Sequence, residues 1–221
     1  MRKLMDIKKS SAGDVKATSK IVGARKAFST VCNSLLVRAY KKVVKNGQYQ
    51  LTWEEDTFTA NMYSALEQLC QDEEIPCMPL YQEHQLTKEI LAGEVRPLTA
   101  KKIDIVFASF FYNPRLKYRV EAKILSEQDT NTRNAKHLAK EYVISGIDRF
   151  VRREYQPEGC IVGYIINGSA DAILAAINLV LTGNNRNKEI LNDKHLIEGY
   201  EFCYNSKHEG FDLKHLLFHF A

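Results

Sequence analysis

The sequence predicts an α/β fold whose core runs in the order helix, three strands, helix, strand. Two kinds of pattern support this order. Apolar residues recur at helical spacing after residue 52 and again after residue 134, and strand-like apolar patterns lie between and after these segments. An N-terminal helical arm and a C-terminal helix and strand extension would flank the core. With 221 residues, 45% of them hydrophobic, the chain is long enough to bury one core.

The N-terminal 50 residues are strongly basic. They contain twelve lysine or arginine residues and two aspartates, a net charge of +10, which leaves −6 for residues 51–221 because the whole chain carries +4. A helix is predicted over residues 24–45, ended by Asn46 and Gly47. We expect residues 1–50 to form a basic arm and helix, and residues 51–221 to form the main domain. The arm either attracts a polyanion such as nucleic acid or is a solvated tail that maintains solubility.

The first core helix is predicted to start after Thr52. Thr52 and Glu55 have the spacing of a capping box, in which each side chain accepts from the backbone N–H of the other residue. Apolar residues at helical spacing continue to Leu69, and Pro76 lies beyond the predicted end of the helix. The first strand is predicted over residues 80–86, followed by a turn-rich connection.

The next two strands are the strongest predictions in the chain. Residues 103–110 are rich in β-branched and aromatic side chains, and residues 118–125 alternate between the two faces of a strand. One face carries Tyr118, Val120, Ala122 and Ile124, and the other carries Arg119, Glu121, Lys123 and Leu125. The turn-forming residues 112–115 lie between the two runs, so we expect a hairpin.

The second half of the chain predicts five further elements. A helix is expected over residues 134–155, and the continuous apolar run 160–166 is typical of a buried central strand. Ser169 is placed to cap a helix over residues 170–181. The last two strands are predicted near residues 200–204 and 213–220.

Asp104, Glu121 and Lys123 form the pattern that predicts chemistry. Alternation puts Glu121 and Lys123 on one face of a strand, about 7 Å apart at ~3.4 Å per residue. The hairpin partner can bring Asp104 beside them. Two converging carboxylates predict an oxygen site for a hard divalent cation, most naturally Mg²⁺. The alternative is that this Glu-x-Lys pair is a solvated strand face.

The arrangement of these residues resembles the PD-(D/E)xK, or restriction-endonuclease-like, nuclease superfamily. The matching residues are Ile103-Asp104 and Glu121-Ala122-Lys123, and the resemblance covers roughly residues 52–167. Ile103 stands where the motif has proline. The resemblance implies a Mg²⁺-dependent nuclease (Mn²⁺ can substitute) with the metal on Asp104 and Glu121 and with Lys123 acting on the attacking water. It also implies nucleic acid, DNA before RNA, as the substrate, and a setting in restriction, repair or phage defence.

Two further groups of residues are candidates for the site. Glu55 either completes the acidic cluster, as a first-helix acid does in many members of the superfamily, or only completes the capping box. Arg133, Lys136 and Lys140, at the start of the second core helix, either contact the phosphodiester backbone or form a solvated basic face.

Other features limit the range of functions. The five cysteines are scattered without a Cys-x-x-Cys pair, which disfavours a zinc site or disulfide framework, and we expect most of them to be buried. For His208, His215 and His219 we favour structural or surface roles over a metal site. We expect a cytoplasmic protein with no membrane partner, and a homodimer or a defence-system partner protein is compatible with the resemblance. The alternative function is a non-catalytic nucleic-acid-binding or assembly subunit with the same fold.

Overall fold

A computed structural model describes residues 12–84, 88–94, 96, 102–110 and 115–221. The helices are α1 (Ala12–Asn46), α2 (Glu55–Asp72), α3 (Lys88–Leu91), α4 (Ala135–Glu141), α5 (Asp148–Val151) and α6 (Ala170–Gly183). A π-helical segment, Tyr142–Ile147, joins α4 to α5, and a short 3₁₀ turn covers Asn187–Glu189. The strands are β1 (Cys77–His84), β2 (Lys102–Ser109), β3 (Lys117–Ser126), β4 (Gly159–Asn167), β5 (Asp193–Ile197), β6 (Tyr200–His208) and β7 (Phe211–His219).

The strands form one mixed sheet in the order β1-β2-β3-β4-β7-β6-β5. β1, β2 and β3 are antiparallel neighbours, whereas β4 lies parallel to both β3 and β7. Parallel neighbours need a crossover connection, which α4, the π-helical segment and α5 supply between β3 and β4. The predicted α/β class is therefore confirmed, and in the observed order a short helix, α3, lies between the first two of the three strands that follow α2.

Each face of the sheet has its own apolar core. The face that carries Tyr118, Val120, Ala122 and Ile124 packs against α1 and α2. The opposite face packs against the second core helix and α6. The predicted alternation of β3 is confirmed, because Leu125 belongs to this second core while its neighbour Ile124 belongs to the first.

α1 contributes to the same core as the sheet. Buried side chains between Phe28 and Val43 belong to the cluster that also contains the inner side chains of α2 and β3. α1 ends at the predicted place, where Gly47 adopts a positive φ of 64° that favours glycine. The predicted division at residue 50 falls in the turn between α1 and α2.

Several element boundaries differ from the prediction. α1 begins at Ala12 rather than near residue 24, since isolated glycines such as Gly23 cost a helix only about 1 kcal/mol each. β1 spans Cys77–His84 rather than residues 80–86 and includes Pro79, which is tolerated because β1 is an edge strand. Residues 85 and 86 of that predicted strand, and 112–114 of the predicted turn, lie outside the described residues.

β5 was not predicted, and the predicted capping box is wrong. The β5 sequence has too few apolar residues for a strand pattern, and among the described strands β5 pairs with β6 alone, at the sheet edge. α2 begins at Glu55 with Glu54 as its N-cap, and the Glu54 side chain makes no capping hydrogen bond. Thr52 lies before the cap, and the Glu55 carboxylate is directed towards β3 instead.

The five cysteines are all buried and free, as expected for most of them. Within the described part of the chain, no helix has an apolar stretch of the length that crossing a bilayer requires.

Candidate active site

β2 and β3 separate at the end where the predicted acidic residues lie. The two strands pair from Ile105 opposite Val120 to Ala108 opposite Lys117, and β3 then continues to Ser126. Backbone N–H groups of β3 that face this opening need acceptors other than β2. The opening, which we call the β2–β3 gap, is therefore a place where acidic side chains can accept hydrogen bonds from the backbone of β3.

Two carboxylates accept these N–H groups. Asp104 Oδ2 accepts from the backbone N of Ala122 at 2.7 Å, and Glu55 Oε2 accepts from the backbone N of Ile124 at 3.1 Å. Asp104 comes from β2, whereas Glu55 comes from the first turn of α2. The structure thus brings two predicted site residues to alternate positions along one edge of β3.

Lys123 lies between the acidic side chains. Its Nζ is 2.9 Å from Glu55 Oε1 and 2.9 Å from Glu121 Oε1, and it donates to the carbonyl of Ala122 at 2.6 Å. Burial alone would lower the pKa of Lys123, but the surrounding carboxylates, Glu121 first, raise it above its usual value. The ammonium group therefore stays protonated at neutral pH.

Glu121 is fully buried, and its two carboxylate oxygens have different surroundings. Oε2 accepts from Arg149 Nη1 at 2.8 Å and from the Tyr155 hydroxyl at 2.9 Å. Oε1 lies beside Lys123 but has no hydrogen-bond partner of suitable geometry among the described residues. One oxygen is thus held in place, and the other is left with an unused lone pair inside the gap.

Arg149 and Tyr155 are site residues that the sequence prediction missed. Arg149 lies at the end of the second core helix, and Tyr155 follows that helix. Arg149 also donates to Tyr155 at 2.5 Å, and burial together with the Glu121 carboxylate raises the pKa of the Tyr155 hydroxyl, which keeps it a donor. An arginine adjacent to the apolar stripe of a helix signals a buried ionic partner. This signal was present in the sequence at Arg149 and Phe150.

Asp104 titrates near neutral pH in this environment. Burial is the main cause and the nearby Glu121 carboxylate the second, and together they raise the pKa of Asp104 to about 7. Attraction to Lys123 and the hydrogen bond from Ala122 act in the opposite direction but do not cancel these effects. A neutral solution therefore contains both the protonated and the ionised form.

Asp104 and Glu121 fit a divalent cation in part. In favour are the buried Glu121 Oε1, which lies beside Lys123 but accepts no hydrogen bond of suitable geometry among the described residues, and the second carboxylate on the neighbouring strand. Among the described residues, no group of three or more His, Cys, Asp or Glu side chains is arranged to hold a metal ion. Mg²⁺ commonly uses one or two carboxylates and completes its shell with water and substrate phosphate. Two carboxylates are thus enough for Mg²⁺ but not for a fully protein-lined site.

The predicted basic contacts differ in what they do. The Arg133 guanidinium donates to the carbonyls of Leu51, Thr52 and Trp53, the closest at 2.6 Å, and its side chain is only 10% exposed. Arg133 therefore holds the turn that leads into α2. Lys136 and Lys140 are exposed on α4 and remain available for a ligand.

The C-terminal histidines make hydrogen bonds outside the gap, and His208 and His215 share one network. His215 is fully buried between the Tyr142 hydroxyl, 3.0 Å away, and Ser206 Oγ, 2.8 Å away. Ser206 also contacts His208 Nε2 at 2.6 Å, and His219 contacts the carbonyl of Gly168 at 2.7 Å. Burial lowers the pKa of His215 to about 3, so it is neutral in the folded protein.

Neither a protein-family model, nor a curated protein, nor a solved structure matches this chain. The function proposed below therefore depends on the residues of the β2–β3 gap themselves.

Proposed function

We propose that this protein is a metal-dependent nuclease with a restriction-endonuclease-like core, and that it hydrolyses phosphodiester bonds in nucleic acid, with DNA as the first substrate to test. The observation that carries the proposal is the convergence of Asp104, Glu121 and Lys123 in the β2–β3 gap, with Glu55 completing the cluster. These residues come from three elements separated by up to 68 positions in the chain. A solvated Glu-x-Lys strand face would not be buried in this way.

Asp104 and Glu121 would hold Mg²⁺ or Mn²⁺. Such a cation, when bound, polarises a phosphate oxygen and lowers the pKa of water. Tyr155 and Arg149 hold Oε2 of Glu121, which directs Oε1 into the gap. Because it is protonated, Lys123 cannot act as a general base at neutral pH. It can donate hydrogen bonds to the attacking water and stabilise negative charge that develops on the phosphate.

Glu55 and Lys140 have supporting roles in this proposal. Glu55 fixes the position of Lys123 through the 2.9 Å contact between Oε1 and Nζ. Lys140, together with Lys136, would contact the phosphodiester backbone from the exposed side of α4. Arg133 is excluded from this set, since its guanidinium is already bound to backbone carbonyls.

The alternative function is a non-catalytic nucleic-acid-binding or assembly subunit with the same fold. One observation favours it. Each oxygen of Glu121 faces a cation of the protein itself, Lys123 on one side and Arg149 on the other. These ion pairs would compete with a metal for the same carboxylate.

Cleavage of plasmid and single-stranded DNA, with RNA in parallel, separates the two functions. Wild type and Lys123→Ala would be compared in Mg²⁺, Mn²⁺ and EDTA, with Lys207→Ala as a control at an exposed lysine on β6. The proposal expects metal-dependent cutting by wild type and by the control that is lost in Lys123→Ala. Equal cutting by all three proteins indicates a contaminating nuclease or a misplaced site. An absence of cutting in every condition favours the binding subunit.

A further inference from the structure

Two adjoining cavities lie between α1, the first residues of β3 and the segment before β4. Their volumes are about 260 and 300 Å³, and both are lined by Arg25, Tyr118 and Glu158. Most of the charged residues in the lining are cations: Arg25, Lys26, Arg115, Lys117, Arg119 and Lys214. Only two acidic residues, Glu158 and Asp212, line the same space among the described residues. We call this space the basic cleft.

Only some of these cations are paired within the protein. Arg25 Nη1 is 2.8 Å from Glu158, and Lys117 Nζ is 2.5 Å from Glu83. Neither Arg115 nor Arg119 has an ion pair or a side-chain hydrogen bond with the described residues. Arg115 is exposed, whereas Arg119 is half-buried and is attracted only at longer range by the carboxylates of Glu158 and Glu83. An anion in the cleft would offset the cost of removing the Arg119 guanidinium from water.

An exposed aromatic side chain lies at the same end of the sheet. Phe110 directly follows β2 and is 54% exposed. The backbone N of Ser109 donates to the carbonyl of Leu116 at 3.0 Å, so Phe110 directly follows one member of this pair and Arg115 directly precedes the other at the closing end of the hairpin. Exposed aromatic rings beside cationic grooves stack on the bases of single-stranded nucleic acid.

We infer that the basic cleft is a binding site for a nucleic-acid strand, in which Arg115 and Arg119 contact backbone phosphates and Phe110 stacks on a base. The identity of this ligand rests on the proposed nuclease function. The cleft lies on the same strand as the site, because Arg119 precedes Lys123 by four residues. That separation is about 14 Å at ~3.4 Å per residue, the rise of about four phosphates along one strand of B-form DNA. One nucleic-acid strand is therefore long enough to contact both.

Fluorescence anisotropy of a labelled 15-nucleotide single strand in EDTA tests the site without cleavage. The variants are Arg115→Gln, the double variant Arg115→Gln/Arg119→Gln, and Phe110→Ala, and the matched control is Lys207→Gln. Arg115 and Phe110 are exposed, so their variants should fold even if a change at half-buried Arg119 does not. We expect about a tenfold rise in Kd for the double variant and several-fold rises for the two single variants.

The salt dependence gives a second readout. Each lost phosphate contact on a single strand should reduce the slope of log K against log salt by about 0.7, or about 1.4 for the double variant. Wild-type Kd and slope in all three cleft variants would overturn the inference, as would equal weakening by Lys207→Gln. The inference would also be overturned if inorganic phosphate displaced the oligonucleotide at a concentration equal to that of the oligonucleotide's phosphate groups. The site would then bind small anions only.

The outcome is separable from that of the nuclease proposal. Cleft-dependent binding without metal-dependent cleavage would contradict the nuclease function and leave the binding site in place. Cleavage by wild type together with unchanged binding by the cleft variants would contradict only the binding site.

Discussion

Asp104→Asn should make the folded protein more stable at alkaline pH while it removes metal-dependent activity. Asparagine has the size of aspartate, and its carbonyl oxygen can still accept the hydrogen bond that Ala122 donates to Asp104 at 2.7 Å. The substitution removes the charge, which burial and Glu121 both disfavour, and replaces the other carboxylate oxygen by an NH2 group of similar size. The variant therefore separates the loss of folding stability caused by the buried charge from the role of that charge in metal binding.

The magnitude follows from the pKa of Asp104. It is about 7 in the folded protein and about 3.9 in an unfolded chain, a difference of about three pKa units, or ~4 kcal/mol at ~1.4 kcal/mol per unit. Between these two values the folded state binds more protons than the unfolded state, so stability falls as pH rises from about 4 to 7. Above pH 7, wild type should be less stable than Asp104→Asn by up to about 4 kcal/mol. Near pH 4 the two should be nearly equal.

Urea unfolding in EDTA at pH 4.5 and pH 8 measures this difference. Comparing the variant with wild type at each pH cancels the contributions of the other titrating groups. One of these is His215, which is neutral in the folded protein, so its contribution to stability is lost as pH falls below about 6.5, opposite to the effect of Asp104. Asp72→Asn is the matched control, because its carboxylate is 70% exposed at the end of α2 and surface substitutions usually change stability by only about 0.5 kcal/mol. A variant that is less stable than wild type at pH 8, or a difference independent of pH, would refute the reasoning.

Three further predictions concern the site and its support. Tyr155→Phe should weaken Mn²⁺ binding about tenfold, measured by calorimetry, because Glu121 loses a hydrogen bond that orients it; unchanged affinity would remove Tyr155 from the site. Mn²⁺ binding to wild type should release up to one proton near pH 6.5, seen as a dependence of the calorimetric enthalpy on the buffer, and Asp104→Asn should release none. Gly159→Ala should destabilise the protein by more than 2 kcal/mol in urea unfolding, since a Cβ there would lie 2.3 Å from a carbonyl oxygen of β3. Gly183→Ala, with open space around it, is the control, and equal losses would contradict the packing argument.

Strand periodicity made part of the site predictable. A side-chain period of two puts Glu121 and Lys123 on one face whatever the rest of the fold does, and the short hairpin restricts Asp104 to a few positions beside them. The buried run that became β4 has no alternation because both of its faces are covered, which is also a local property of the sequence. These predictions needed no contact between distant parts of the chain.

The roles of Glu55 and Arg149 could not be predicted in this way. The spacing of Thr52 and Glu55 satisfies a capping rule, but Arg133, about 80 residues further on, binds the carbonyls of the turn before α2 and fixes a different start for the helix. The position of Arg149 beside the apolar stripe of its helix indicates a buried ionic partner but not which residue that partner is. Its partner, Glu121, lies 28 residues away and meets it only when α5 packs on β3.

The charges of the gap distinguish the two proposed functions. Three carboxylates and two cations meet there, which gives a net charge of −1 when every acid is ionised and zero when Asp104 is protonated. A phosphate group approaching this cluster alone would meet a neutral or negative site and would not be attracted. A divalent cation with one phosphodiester would instead bring the fully ionised cluster to neutrality. A binding subunit would use these acids only for their hydrogen bonds and ion pairs within the protein, whereas a nuclease would also use them to admit metal and phosphate together. Nucleic acid should accordingly contact the gap only when a divalent cation is present, while the basic cleft binds it in EDTA.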